Sequence, residues 1–294
     1  MWRKIKMKYE LTDEIIEVAG RKLHRIRALK DIETSSGKIV KTGDLGGWVE
    51  YKHNLSQDDN AWVDDNAYVY NNAWISGDAY VCDNAQVYGK SRVHGEALIK
   101  DNACVYGGAW VFDKACICDN ARIYCSACVK GNADVSDRAL VCGEAVVSGN
   151  ARIFENSVVS GNARVYDFAL IYGNSKVYEE AEVYDRAKIY GDTEVHGKAL
   201  VCGEAEVCCF GELLGDAWIK DNEGYIVIKG LGSVSRSTTV FITKNGDIAV
   251  KCGCFYGTLS EFADEIGRTH GDSKYAEEYL ALVELAKIHF GIEE

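Results

Sequence analysis

The sequence predicts a mainly β chain in which short strands wind into stacked triangular coils, with a β cap before them and an α+β cap after them. Two observations carry this. From Asp59 to Cys208 the chain divides into 25 consecutive hexads, each with Val or Ile at its fifth place, from Val63 and Val69 to Val201 and Val207. The third place is always small, being Ala except at Ser91, Ser157, Ser175 and Thr193. A period of six is not the helical 3.6, and the absence of proline and of insertions fits a chain that keeps winding in one direction. If each hexad is one strand plus one corner, three hexads close a coil and every Val or Ile points into a shared interior. Gly or Asp opens 21 of the 25 hexads, which suits a tight corner where positive φ is tolerated.

Residues 1–58 are expected to form the N-terminal β cap. KYELTDEIIEVAGRKLHRIRALK, at 8–30, alternates like a strand pair around Ala19-Gly20, and GGWVE at 46–50 is expected to lay down the first turn. Residues 59–208 are the repeat. Residues 209–294 are read as a C-terminal α+β module, with strands over 225–250 around Asn245-Gly246 and two helices between Thr258 and Phe290, FADEIGR and KYAEEYLALVELAKIHF. Caps are needed because an open coil end leaves unpaired backbone and apolar interior in water.

The hexads resemble the hexapeptide-repeat family, whose members are left-handed parallel β-helices. The resemblance rests on the offset of four from each aliphatic residue to the next small one, as in Val63 to Ala67 and Val69 to Ala73, and it covers half of the chain. It implies the left hand. Three hexads to a coil give about eight triangular coils for the repeat. The segments GDLGGWVE…NLSQ and GCFYGTLSEFADEI…EYLALVELAKIHF look like modules that flank such repeats in phage and prophage proteins of unassigned role. That resemblance implies a virus or its bacterial host as the setting.

Composition narrows the function classes. The formal net charge is −12, and residues 59–208, with 13 basic and 22 acidic side chains, carry −9 of it. Such a surface disfavours direct contact with nucleic-acid phosphates or anionic lipid and favours basic protein partners. With no membrane-length apolar run and no signal-like apolar stretch at the start, a cytoplasmic location is expected, in a bacterial host if the chain is phage-encoded. Twelve cysteines in that setting read as free thiols and small apolar fillers. Cys116/Cys118, Cys125/Cys128 and Cys252/Cys254 are closely spaced but do not make the paired Cys-x-x-Cys set of a zinc site, so no metal and no cofactor is expected.

An 18-residue coil turns the sequence into columns. At one corner Asp65, Asp83, Asp101, Asp119, Asp137 and Glu155 follow one another before Gly173 ends the run, with Asn66, Asn84, Asn102 and Asn120 alongside. On the next face stand Tyr70, Tyr88, Tyr106 and Tyr124. Turn chemistry and side-chain stacking account for much of this. Yet carboxylates about 4.8 Å apart repel by roughly 1 kcal/mol per neighbour in water, a cost glycine corners avoid. A partner with a basic groove, such as a nucleic-acid-handling protein, is therefore the functional alternative, the acids imitating a phosphate strand. A calcium ion between coils fits less well, because calcium wants six to eight oxygens converging on a point. Trp62, Tyr68, Trp74, Tyr80 and Trp110 form a second aromatic patch, to be covered either by the N-terminal cap or by a partner, including a second or third copy of the chain.

Many hexapeptide-repeat proteins are trimeric acyltransferases in which a coil histidine is the general base and acyl-CoA lies between prisms. His94 and His196 are the repeat's histidines, both at the outward place after an aliphatic residue. An uninterrupted repeat offers no inserted loop to build an acceptor pocket. The expectation is a non-catalytic protein-binding protein that inhibits a host nucleic-acid-handling or defence factor, with the acyltransferase using His94 or His196 as the alternative.

Overall fold

The computed structural model describes residues 7–292, so the first six residues of the expected N-terminal cap lie outside the described residues. The chain divides into two compact units, Met1–Asn156 and Ser157–Glu294.

In the first unit, Tyr9–Val18 and Arg21–Ala28 form an antiparallel hairpin whose turn is Ala19-Gly20, at φ 50° and 73°. Leu45–Val49 pairs antiparallel with the second hairpin strand and parallel with Tyr68–Val69, placing Trp48 opposite Tyr68 and Val49 opposite Val69. This strand is the splice from hairpin to coil. Gly46 and Gly47 occupy it without positive φ, so their reason is close approach. A Cβ on Gly46 would lie 2.5 Å from the Val63 carbonyl oxygen and 2.6 Å from the Trp62 ring, and one on Gly47 would lie 2.7 Å from the Ala67 carbonyl oxygen.

From Trp62–Val63 to Arg152–Ile153 every hexad supplies a two-residue strand, and within the unit strands 18 residues apart pair in parallel: Tyr68 with Gln86, Gln86 with Cys104, Cys104 with Arg122. Fifth-place Val and Ile and third-place Ala are fully buried throughout. Each buried Val or Ile contributes on the order of 1.5–3 kcal/mol. At the third place Ser91 is fully buried, and its hydroxyl donates to the Tyr88 carbonyl at 2.8 Å.

The second unit is built on the same hexad rule, Val158–Val159 pairing with Lys176–Val177 and Lys176–Val177 with Glu194–Val195. It does not stop at Cys208. Glu212–Leu213 pairs with Glu194–Val195, and Trp218–Ile219 with Leu200–Val201, so two more hexads, 209–214 and 215–220, belong to the solenoid. Cys209 and Phe210 replace the usual corner pair there, at φ 66° and 69°, which hides the period in the sequence. Leu45 to Ile219 at 18 residues a turn is about ten turns of parallel β-solenoid, against about eight implied by the hexads alone.

Beyond it lies a four-stranded antiparallel sheet, Tyr225–Leu231, Arg236–Ile242, Ile248–Cys252 and Phe255–Thr258. Two helices follow, α1 (Leu259–His270) and α2 (Lys274–Phe290). A capping box starts α1: the Glu261 amide donates to Thr258 Oγ1 at 3.2 Å and the Thr258 amide to Glu261 Oε2 at 2.8 Å. Val240, Val250, Phe262, Ile266, Tyr279 and Val283 form the core between sheet and helices. Among the described residues, no helix is long and apolar enough to cross a membrane.

Candidate binding face on the repeat

Each acid of the predicted column stands at a corner in left-handed backbone, with φ 50° at Asp65, 56° at Asp83, 58° at Asp101, 56° at Asp119, 55° at Asp137 and 59° at Glu155. That conformation costs a residue with a Cβ about 1–2 kcal/mol. A bond to the next coil offsets it. The backbone amides of Asp83, Asp101, Asp119, Asp137 and Glu155 donate to Oδ2 of the acid one coil earlier at 3.4, 3.1, 3.3, 3.2 and 3.0 Å. The asparagines work through their backbone: the amides of Asn66, Asn84, Asn102 and Asn120 donate to the corner carbonyls of Asp83, Asp101, Asp119 and Asp137.

This arrangement explains why the column survives its own repulsion. Carbonyls of the same or the next coil take the second-, third-, fourth- and sixth-place amides. An acid at the corner offers the corner amide of the next coil an acceptor that glycine lacks. A hydrogen bond to a carboxylate contributes about 1.5–3 kcal/mol, more than the roughly 1 kcal/mol of repulsion per neighbour in water. The same bond forms where acids stand at another corner, from the Gly77 amide to Asp59 at 2.6 Å and from the Gly131 amide to Asp113 at 3.1 Å. Continuity distinguishes the Asp65–Glu155 corner, and its far end forms a shallow concavity of about 270 Å³ lined by Asp119, Asn120, Asp137, Arg138, Glu155 and Asn156.

The tyrosines stack as the columns predict. Tyr70, Tyr88, Tyr106 and Tyr124 have successive centroids 4.9, 4.9 and 5.1 Å apart, with planes within 5°. Burial pushes the Tyr88 hydroxyl up to about 12, so it remains a neutral phenol. Tyr70 is buried with Leu23 and Trp48, whereas Tyr88, Tyr106 and Tyr124 are half-buried.

The second aromatic patch splits in two. Trp62 and Tyr80 are buried, Trp62 beneath the Gly46 strand and Tyr80 with its hydroxyl donating to Asp64 Oδ2 at 2.7 Å, so neither is available to a partner. Tyr68 packs partly buried beside Leu23 and Trp48. Trp74 and Trp110 are exposed and sandwich Arg92, whose guanidinium carbon lies 5.8 and 5.5 Å from their ring centroids. The physical reason is reach: the N-terminal cap covers the first coil, and the column of Trp74 and Trp110 lies on a different face.

The two histidines have unlike surroundings. His94 is half-buried and stacked on Phe112 at 4.9 Å. His196, in the second unit, stacks on Tyr178 at 4.6 Å, with Nε2 3.3 Å from Glu212 and Nδ1 3.6 Å from Glu179. Glu212 also meets Lys251 at 3.4 Å. Hydrogen bonding to Glu212, then the nearby carboxylate charges, outweighs burial and raises the His196 pKa above its ordinary value. A general base needs a free ring nitrogen facing an acceptor, and here both ring nitrogens face carboxylates. A raised folded pKa means that the charged ring's contribution to stability is complete below about 6.5, the unfolded value, and is lost as pH rises through the folded value. The stability gap between the protein and His196→Gln, measured by urea unfolding between about pH 5 and 8, is therefore expected to be widest at the acid end and to close with rising pH. A gap that widens with pH would contradict the ion network.

Comparison with known families agrees with this architecture. Residues 145–161 match the family model described as YdcK beta solenoid repeat. No curated protein matches the chain. The matched residues lie within the parallel ladder described above, and the chain is a repeat β-solenoid protein.

Proposed function

We propose that the protein is a non-catalytic, phage-type binding protein whose acid corner and tyrosine row dock a protein with a basic groove, of the kind that handles nucleic acid in a bacterial host cytoplasm. In the same reading the coils are left-handed, as the hexad offset implies. The reading rests on one observation above all: five successive carboxylate–amide bonds hold the corner acids in fixed register on a rigid edge. A row already in its bound geometry loses little side-chain entropy on association. One charge about every 4.8 Å compares with one phosphate about every 3.4 Å along a single DNA strand. The half-buried tyrosines beside it supply flat apolar contact of the kind found at binding hot spots.

The test separates charge from folding. Asn keeps an oxygen that accepts the corner amide, so Asp83→Asn/Asp101→Asn/Asp119→Asn is expected to stay folded while losing three charges. Titrated with an arginine-rich peptide at low salt, the triple variant is expected to bind about tenfold more weakly or worse, and binding by the unaltered protein should weaken as salt rises. Equal affinity in the two proteins removes the ladder from the function. Acetyl-CoA binding abolished by His94→Ala would favour the acyltransferase instead.

A further inference from the structure

On the face beside the acid corner, the coils bring together three donors from two hexads, two of them from one hexad and the third from the hexad one coil later. Cys116, on the strand Cys116–Ile117, and Cys118, just after it, flank the inward Ile117, so both side chains lie on the opposite side of the backbone from the interior. Asp134 is paired directly with Cys116 one coil later. Sγ of each cysteine and a carboxylate oxygen of Asp134 all lie within 4.8 Å of one another. We propose that Cys116, Cys118 and Asp134 form a binding site for a thiophilic divalent cation of the zinc class.

Chemistry and geometry agree. Two zinc–sulfur bonds of about 2.3 Å at a tetrahedral angle place the sulfurs roughly 3.8 Å apart, so the donors need close by only about an ångström. Strand pairing on both sides holds them: Cys116 opposite Leu98 below and Asp134 above, and Asp134 opposite Arg152. Asp134 Oδ1 is sealed from solvent and has no hydrogen-bond partner among the described residues. A buried acceptor left unpaired costs about 1–3 kcal/mol, more when charged, and a bound cation would remove that cost. The neighbouring cations Lys100 and Arg152 act on Asp134 through their charge but make their closest contacts with other groups. Lys100 Nζ lies 3.4 Å from Asp101, and the Arg152 guanidinium lies over the Phe154 ring at 5.5 Å. Asp119 adds negative field, its Oδ2 3.5 Å from Cys118 Sγ while it accepts the Asp137 amide. Two thiols and one carboxylate select zinc or cobalt over calcium or magnesium. Binding releases the two thiol protons to solvent, and three protein donors leave a fourth position for water.

The sequence alone argued against a metal, because it lacks the paired Cys-x-x-Cys signature; here the third donor comes from the next coil. Cobalt(II) titrated into the 294-residue chain, reduced with a non-thiol phosphine, reads the site through its thiolate-to-cobalt charge-transfer band. One equivalent is expected to raise the band, and zinc to displace it. Cys116→Ser and Cys118→Ser should each abolish tight binding, and Asp134→Asn should weaken it at least tenfold, with circular dichroism confirming that each variant folds. Cys116→Ala stands in if a serine variant does not fold. The site is overturned if the folded, reduced protein gives no band, if the band persists in the cysteine variants because other thiols hold the ion, or if Asp134→Asn binds equally. Formation of a Cys116–Cys118 disulfide in a protein that takes no cobalt when reduced would likewise overturn it.

Discussion

Ile123→Ala is expected to lower the unfolding free energy by about 2–5 kcal/mol, among the largest losses available to a single substitution in the first unit. Ile123 is fully buried, paired with Val105 in the coil below and Val141 in the coil above. All three sides of the coil supply Val or Ile to one narrow interior, and the Ala residues leave no slack into which neighbours could collapse. A coil touches only its neighbours, so the deficit is concentrated in the surrounding turns. Hydrogen exchange should find those turns opening most, and urea unfolding gives the total. Ile123→Val, which leaves a smaller void, should cost only about 0.5–1.5 kcal/mol. Equal, small losses for both would mean that the interior is not packed as described.

Gly46→Ala is expected to cost about 3 kcal/mol and to loosen the N-terminal cap from the first coil. The added methyl meets the Val63 carbonyl oxygen, the Trp62 ring and Ile26 at 2.5, 2.6 and 2.8 Å. The carbonyl is backbone and cannot swing away, and Ile26 and Trp62 are themselves fully buried. Loosening would expose Trp62, so its fluorescence should shift red as stability falls. Gly267→Ala provides the contrast: nothing lies within 4 Å of its Cβ, and in α1 the substitution should be neutral or stabilising by about 0.5–1 kcal/mol. Similar behaviour of the two would refute the close-approach role of Gly46.

The coil interior was legible because burial imposes one strict requirement on one place in six, and Val69, Ile75 and Val81 meet it without exception. The hairpin around Ala19-Gly20 and the helices after Thr258 carried equally local signals. Less legible was any contact in which a side chain of one coil meets the backbone of the next. The Asp-Asn pair reads as turn chemistry, but the turn explains only the positive φ. The bond from the Asp101 amide to Asp83 needs the coil to have closed first. The same holds for Asp134 beside Cys116. The end of the repeat is hidden in the sequence because Cys209 and Phe210 lack the usual corner chemistry and Leu213 replaces Val or Ile, although Leu213 and Ile219 are both fully buried in the interior. Trp62 and Trp74 look alike in their hexads, and only the position of the cap separates a buried ring from an exposed one.

The corner bonds between successive coils make length a quantised property of this chain. Inserting or deleting 18 residues within a unit returns every corner and face to its own column, so stripes lengthen or shorten without losing alignment. A change of six residues keeps the aliphatic interior but turns everything beyond it by one face, carrying the acid edge onto a neighbouring side. A change that is not a multiple of six breaks the interior first. Copying whole turns is thus the cheap route by which such a chain lengthens its charged edge without losing its interior.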